Sequence, residues 1–293
     1  EVIDAAFKGM NRVQQQRAAV ISGATTVLRA EVARLLATRA FHGAVALVAV
    51  AAAARAFLAG ASLPANGVES GAGWHGLAVG LQSGLVLSGF VLVFVAARGL
   101  AGDAHSWVLR LALTRCASRG GVVAARLGVG ALQLLVLSLA SLGGALAGAN
   151  LSGDFGPLVL EGYELCDADL AREGIQRVLL VALPALAALH AFGLAVSALC
   201  SGAVQAVALA FGVLLSFDLF KGLLGSSSLW LFPTHAPTLV DSSAFGYAIE
   251  LTGLGSSTAM FDEPAFRIGL VACAGWWLLL GLASRWILGR RTL

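Results

Sequence analysis

Six stretches of this 293-residue chain are too long and too apolar for the core of a water-soluble domain. They cover roughly 40–60, 76–98, 127–148, 178–199, 203–224 and 268–284. A helix needs about 20 predominantly apolar residues to cross the hydrocarbon of a bilayer. In that solvent every backbone N–H and C=O must be paired internally, which a single segment achieves only as a helix. The six runs therefore predict an all-α integral membrane protein with six transmembrane helices. Composition agrees, with 58% hydrophobic and 12% charged residues, against about 25% charged in soluble domains.

The net charge of +3 becomes informative only when divided between the two sides of the membrane. If the chain starts inside, Lys8, Arg12, Arg17, Arg29, Arg34, Arg39, Arg98, Arg110, Arg115, Arg119, Arg126, Arg285, Arg290 and Arg291 lie inside. Only Arg172, Arg177 and Arg267 then lie outside, with most of the acids: Glu69, Asp154, Glu161, Glu164, Asp167, Asp169, Glu173, Asp241, Glu250, Asp262 and Glu263. The positive-inside rule thus predicts a multi-pass protein with both termini cytoplasmic. The first forty residues show no compact apolar core with a cleavage site, so a secretory signal is not expected there.

Residues 1–39 read as a cytoplasmic lead-in followed by an interfacial helix, and 40–293 as the six-span domain. In 24–39 the residues Leu28, Val32, Leu35 and Leu36 recur at helical spacing, as in an amphipathic helix lying at the membrane surface. Glu31 and Arg34 stand at i,i+3 on that helix and are expected to pair. Arg55, within the first run, is expected to snorkel outward or to pair inside the bundle. The outer loop 149–177 is acidic but lacks the spacing of a calcium loop, and it reads as solvated. Cys200–Gly202 is too short for anything but a tight turn between spans four and five. Residues 225–267 are apolar and broken by proline, and they are expected to lie on or dip into the outer leaflet.

The loop between spans two and three carries a second amphipathic element. On a helical projection of 103–114, Val108, Leu109, Leu111, Ala112 and Leu113 share one arc. Asp103, Ser106, Arg110 and Thr114 share the other, with Trp107 at the boundary. Such a helix is a membrane-surface loop or a docking element for a soluble partner.

Little else in the chain suggests chemistry. No glycine-rich loop ends in Gly-Lys-Ser/Thr, so the chain is not expected to bind ATP through a phosphate-cradling loop. His-Glu-x-x-His is absent, and the histidines and four cysteines are scattered, so neither a membrane hydrolase nor a metal site is expected. His190, in the fourth run, reads as a packing residue. Asp218 and Lys221 stand at i,i+3 in the fifth and are expected to share a helix face. Intramembrane charges of this kind are either a structural pair or a functional site.

The order of these elements, and the loop itself, resemble the ABC-2 type permeases, the membrane subunits of one class of ABC exporter. Those permeases have a Leu-Arg-x-Glu…Leu-Leu…Arg helix before the first span, similar to Leu28 through Arg39 here. Between spans two and three they carry an acidic residue, Gly-Thr-Leu, a leucine-rich turn, Thr-x-Pro and an Arg. Here Asp103 stands in the acidic position, Leu109–Leu113 supply the leucines, and Thr114 and Arg119 match the Thr and the Arg. Trp107-Val108 replaces Gly-Thr, and Cys116 stands where the Pro would be. Phe217-Asp218-Leu219, Pro233-Thr234 and the basic tail are similar to the subgroup that serves nitrous-oxide reductase maturation.

The resemblance implies a cytoplasmic coupling helix, with Asp103, Trp107, Leu109, Arg110, Leu113 and Arg119 as ATPase-coupling residues. ATP hydrolysis, with its ATP and magnesium, would belong to a separate ATPase dimer, and this chain would be non-catalytic with no cofactor of its own. A second permease subunit, identical or not, would complete a substrate path that includes Phe217, Asp218 and Lys221. The setting would be a bacterial inner membrane. A periplasmic or membrane accessory protein is a further partner class, whereas nucleic acid is not expected. Two other readings stand beside this one: a non-transporting scaffold or sensor subunit, and an unpowered secondary transporter. The latter would show inverted repeats or broken mid-membrane helices, and Pro184 is the only proline in a span.

Overall fold

The computed structural model describes residues 25–105, 118–238, 243–254 and 262–290. Six of its helices are long and apolar enough to cross a membrane. Residues 25–37 form α1, which breaks at extended Thr38 and gives way to α2 (Arg39–Ser62). Then come α3 (Ala72–His105), α4 (Arg119–Ser152), α5 (Ala168–Leu199) and α6 (Ala203–Phe220). A 3-10 stretch, Lys221–Trp230, and a helical turn, Phe232–His235, lead to α7 (Ser243–Leu251) and α8 (Glu263–Arg290). The hairpin at Cys200–Gly202 is as tight as the sequence requires.

Several helices run beyond their apolar stretches. α5 begins ten residues before the expected 178, because its lead-in is amphipathic and buries Ala171, Gly174 and Ile175. α4 begins at Arg119, where the Ser118 hydroxyl caps it by accepting from the Gly121 N–H at 3.0 Å.

α3 is the hinge of the packing. On one side it joins α2 and α4; on the other it joins α5, which in turn carries α8. α2 and α4 approach backbone to backbone: a methyl at Gly144 or Gly148 would collide with the carbonyls of Ala49 or Ala53. Small residues are what permit such closeness where lipid removes the hydrophobic drive between helices. Val48, Leu81, Leu85, Leu137 and Leu186 fill the shared core. Burial is uneven: 67% of the apolar windows of α3 and α5 is buried, but only 11% of that of α6.

The fold is not wholly helical. β1 (Val68–Ser70), β2 (Leu158–Leu160) and β3 (Tyr163–Cys166) form a three-stranded antiparallel sheet in the order β1-β2-β3 at the acidic end. Its hairpin turns on Glu161 and Gly162, both at positive φ, as two-residue hairpin turns demand. Asp154 ties the two loops together: its carboxylate accepts from the N–H of Gly71 at 2.9 Å and of Gly156 at 3.1 Å. The loop expected to be a solvated acidic stretch is thus an ordered cap, clamped also by Trp74 donating to the Phe155 carbonyl at 3.1 Å.

The segment after α6 re-enters the bundle. Gln82, more than two turns into α3, donates to the Thr238 carbonyl at 2.9 Å, and Ala236 is buried. Irregular backbone at such a depth needs protein partners, and Gln82 is one. His235 Nε2 donates to the Leu229 carbonyl at 2.7 Å, and Trp276 to that of Trp230 at 2.8 Å.

Candidate functional site

The charged residues of the basic end gather at the junction of α1, α3 and α4. Val27, Leu28, Val32 and Leu35 turn α1 toward the bundle, while Leu36 points away and is 62% exposed. That rotation carries Glu31 and Arg34 to the rim. The local Glu31–Arg34 pair expected from spacing is replaced by longer-range ones. Glu31 meets Arg126 of α4 at 2.8 Å, and Arg34 meets Asp103 of α3 at 3.1 Å. Arg126 also pairs with Asp103. The physical reason is burial: the Arg126 side chain is only 14% exposed, and a buried guanidinium requires carboxylates more than a surface one does. Asp103, by hydrogen bond and then by charge, pushes the Arg34 guanidinium above its ordinary pKa.

Asp103 therefore does not open a separate helix, as the projection of 103–114 suggested. It lies in the last turns of α3, 6% exposed, with its carboxylate turned to its own chain. Trp107, Leu109, Arg110 and Leu113 lie outside the described residues. Arg119 opens α4 and donates to the carbonyls of Leu288 at 2.9 Å and Gly289 at 2.7 Å. It thereby satisfies open carbonyls at the end of α8. The Asp103 group and Arg119 thus knot α1, α3, α4 and α8 together on both sides of the 106–117 segment.

Above the knot, toward the membrane interior, a cavity of about 800 Å³ is bounded by α1, α2, α3, α4 and α6. Its mouth carries Glu31, Arg34, Arg98, Asp103 and Arg126. Its deeper wall is aromatic: Phe41, Phe90, Phe94 and Phe211, with the Phe90 and Phe211 rings 5.9 Å apart. Gln133, two turns beyond Arg126 on α4, lines the same wall. Apart from the i,i+7 spacing of Arg126 and Gln133, no pattern in the sequence signals this cavity.

At the opposite end of the spans Lys221 pairs with Asp218 at 2.8 Å, as their spacing predicts. Phe217 is half-buried beside them and Asp218 is exposed. Arg55 is exposed on α2 and donates to the Ser83 hydroxyl at 3.4 Å. His190 is buried against Gly130, where a methyl would collide with its ring. Among the described residues no three His, Cys, Asp or Glu side chains converge as a metal ion would need.

Comparison with protein-family models and with curated proteins finds no match for this chain.

Proposed function

We propose that this chain is the transmembrane permease subunit of an ABC transporter, an exporter by family resemblance, with its basic end cytoplasmic and driven by a separate ATPase. The observation that carries the reading is the knot around Asp103. A docking helix transmits work only if its ends are rigidly joined to the spans. The 106–117 segment leaves from a buried, doubly paired Asp103 and returns at Arg119, which grips α8. A partner that pushed on this segment would move α1, α3, α4 and α8 together. In the same reading 103–113 seats on the ATPase, with Leu109 and Leu113 as apolar anchors and Trp107 and Arg110 beside them. Asp103 acts by holding the helix's pose rather than by touching the partner.

The reading includes a second permease subunit, and two exposed charges support it. Arg55 lies 16 residues into α2 and Asp218 lies 15 residues into α6. Both are therefore at about the same depth from the basic end, ~22–24 Å along the helix axes. Arg55 reaches only the Ser83 hydroxyl and Asp218, though paired with Lys221, is still exposed, and charge exposed within a span is costly in lipid. A two-fold partner would bring the Arg55 of one copy to the Asp218 of the other and cover the bare face of α6. Ions buried at such an interface, near Phe217 and Lys221, would flank the substrate path.

Isolation of the tagged chain from its native membrane tests the reading. The expected result is a stable complex with an ATP-hydrolysing protein whose turnover responds to transported substrate. ATPase binding without any substrate response would favour a sensor or scaffold subunit. Absence of ATP hydrolysis from an intact complex would refute the proposal.

A further inference from the structure

The cavity at the basic end has the chemistry of a lipid site. Its three arginines face two carboxylates, and the carboxylates are already engaged: Glu31 by Arg126, Asp103 by Arg126 and Arg34. Arg98 is exposed and has no carboxylate partner among the described residues. One guanidinium at the mouth is therefore left to attract an anion. Deeper in, Gln133 is 3% exposed, and its side-chain oxygen has no hydrogen-bond partner among the described residues. A buried acceptor without a donor is costly, and one that lines a cavity is satisfied most simply by a hydroxyl or N–H that enters it. Beyond Gln133 the wall is aromatic, with Phe90 and Phe94 still 45% and 43% exposed. The volume of about 800 Å³ suits a small amphiphile or one chain of a larger one.

We infer that this cavity binds an anionic lysophospholipid whose phosphate accepts from Arg98, whose free glycerol hydroxyl donates to Gln133 Oε1, and whose acyl chain lies along Phe94 and Phe90. Cation–carboxylate pairing at the mouth excludes a cationic headgroup, because neither Glu31 nor Asp103 is unpaired. Asp103 meets Arg126 and Ser88 meets Ser141 across the antiparallel α3 and α4, so Gln133 lies only ~3 Å deeper than Arg98, with Phe94 and then Phe90 deeper still: charge, a polar group and aromatic surface follow one another in the order of a lipid. The site stands independently of the ATPase: its failure would leave the permease reading intact, and the reverse also holds.

The test uses the full chain purified in detergent and radiolabelled lysophosphatidylglycerol with one myristoyl chain. Lysophosphatidylcholine of the same chain and inorganic phosphate serve as competitors. The expected result is saturable binding of one molecule per chain, with lysophosphatidylcholine about fivefold weaker, because its trimethylammonium brings a like charge close to Arg98. Arg98→Gln should remove that preference without changing elution of the protein, since Arg98 is exposed. Gln133→Leu should weaken binding yet raise the melting temperature, because it deletes an unsatisfied buried amide, and a purely structural Gln133 would not give this pair of effects. Equal affinity for the two headgroups, unaltered by Arg98→Gln, would overturn the site. So would absence of saturable binding. Competition by inorganic phosphate at the lipid's own concentrations would assign the site to a soluble anion instead.

Discussion

Removing Arg126 should damage this protein more than removing either carboxylate it holds. In Arg126→Gln the side chains of Glu31 and Asp103, 17% and 9% exposed, lose their shared cation and face each other in a poorly solvated corner. Arg34 can still reach Asp103, but it is 61% exposed and already paired there, so Glu31 is left alone. Breaking a buried pair by deleting one partner costs about 3–5 kcal/mol. Asp103→Asn instead leaves the Glu31–Arg126 pair intact and releases Arg34 to water, so its cost should approach the about 0–1 kcal/mol of an exposed pair plus that of one buried hydrogen bond, ~1–2 kcal/mol in all. At ~2–4 °C per kcal/mol, Arg126→Gln should lower the melting temperature by about 6–20 °C. Adding Glu31→Gln to Arg126→Gln should recover part of that loss, since it removes the stranded carboxylate. Fluorescence-detected size exclusion after graded heating, in one detergent for all variants, reads the series. Equal losses for Arg126→Gln and Asp103→Asn, or a double variant worse than Arg126→Gln, would refute the argument from burial.

Other consequences follow for orientation, assembly and pH. Tyr163→Cys, on a strand residue 76% exposed, should react with an impermeant thiol reagent added outside, whereas native Cys166 should resist it because burial hides the thiol and pushes its pKa up. Labelling of Tyr163→Cys from the cytoplasmic side alone would reverse the topology. Arg55→Cys combined in one preparation with Asp218→Cys should yield a cross-linked dimer in membranes, and a cross-link-free product would exclude the proposed pairing of α2 with α6. Burial holds the His235 imidazole below its ordinary pKa, so below about pH 6.5 the unfolded chain binds more protons than the folded one. Thermal stability should therefore fall as pH drops through that range, and His235→Gln should flatten the decline; an unchanged pH profile would remove His235 as its cause.

The helices were legible in the sequence because lipid leaves a segment no other way to satisfy its backbone, so length and hydropathy suffice. Their ends were less so: the lead-in of α5 and the Arg119–Arg126 turns of α4 are amphipathic and drop out of a hydropathy window although they continue the helix. The sheet was missed because its strands are three or four residues long and β1 pairs with β2 some ninety positions away; only the Glu161-Gly162 turn hinted at a hairpin. Local spacing succeeded at Asp218 and Lys221 and failed at Glu31 and Arg34. There, Arg126, 95 positions along the chain, is buried deeply enough to take the carboxylate. The cavity was illegible for the same reason, since its mouth and walls come from five helices. The leucine pattern after Asp103 was visible from the start, but sequence alone could not say that Asp103 itself belongs to the span.

The central claim is that the 103–113 stretch joins these spans to an ATPase, and recovery of that ATPase with Leu109→Asp tests it most directly. An apolar anchor seated in a groove contributes about 2 kcal/mol or more to binding. Tagged wild type and Leu109→Asp, expressed at equal levels in the membrane and with matching elution profiles, should differ at least tenfold in the ATPase they retain. Equal recovery would contradict the account and return this stretch to the membrane surface.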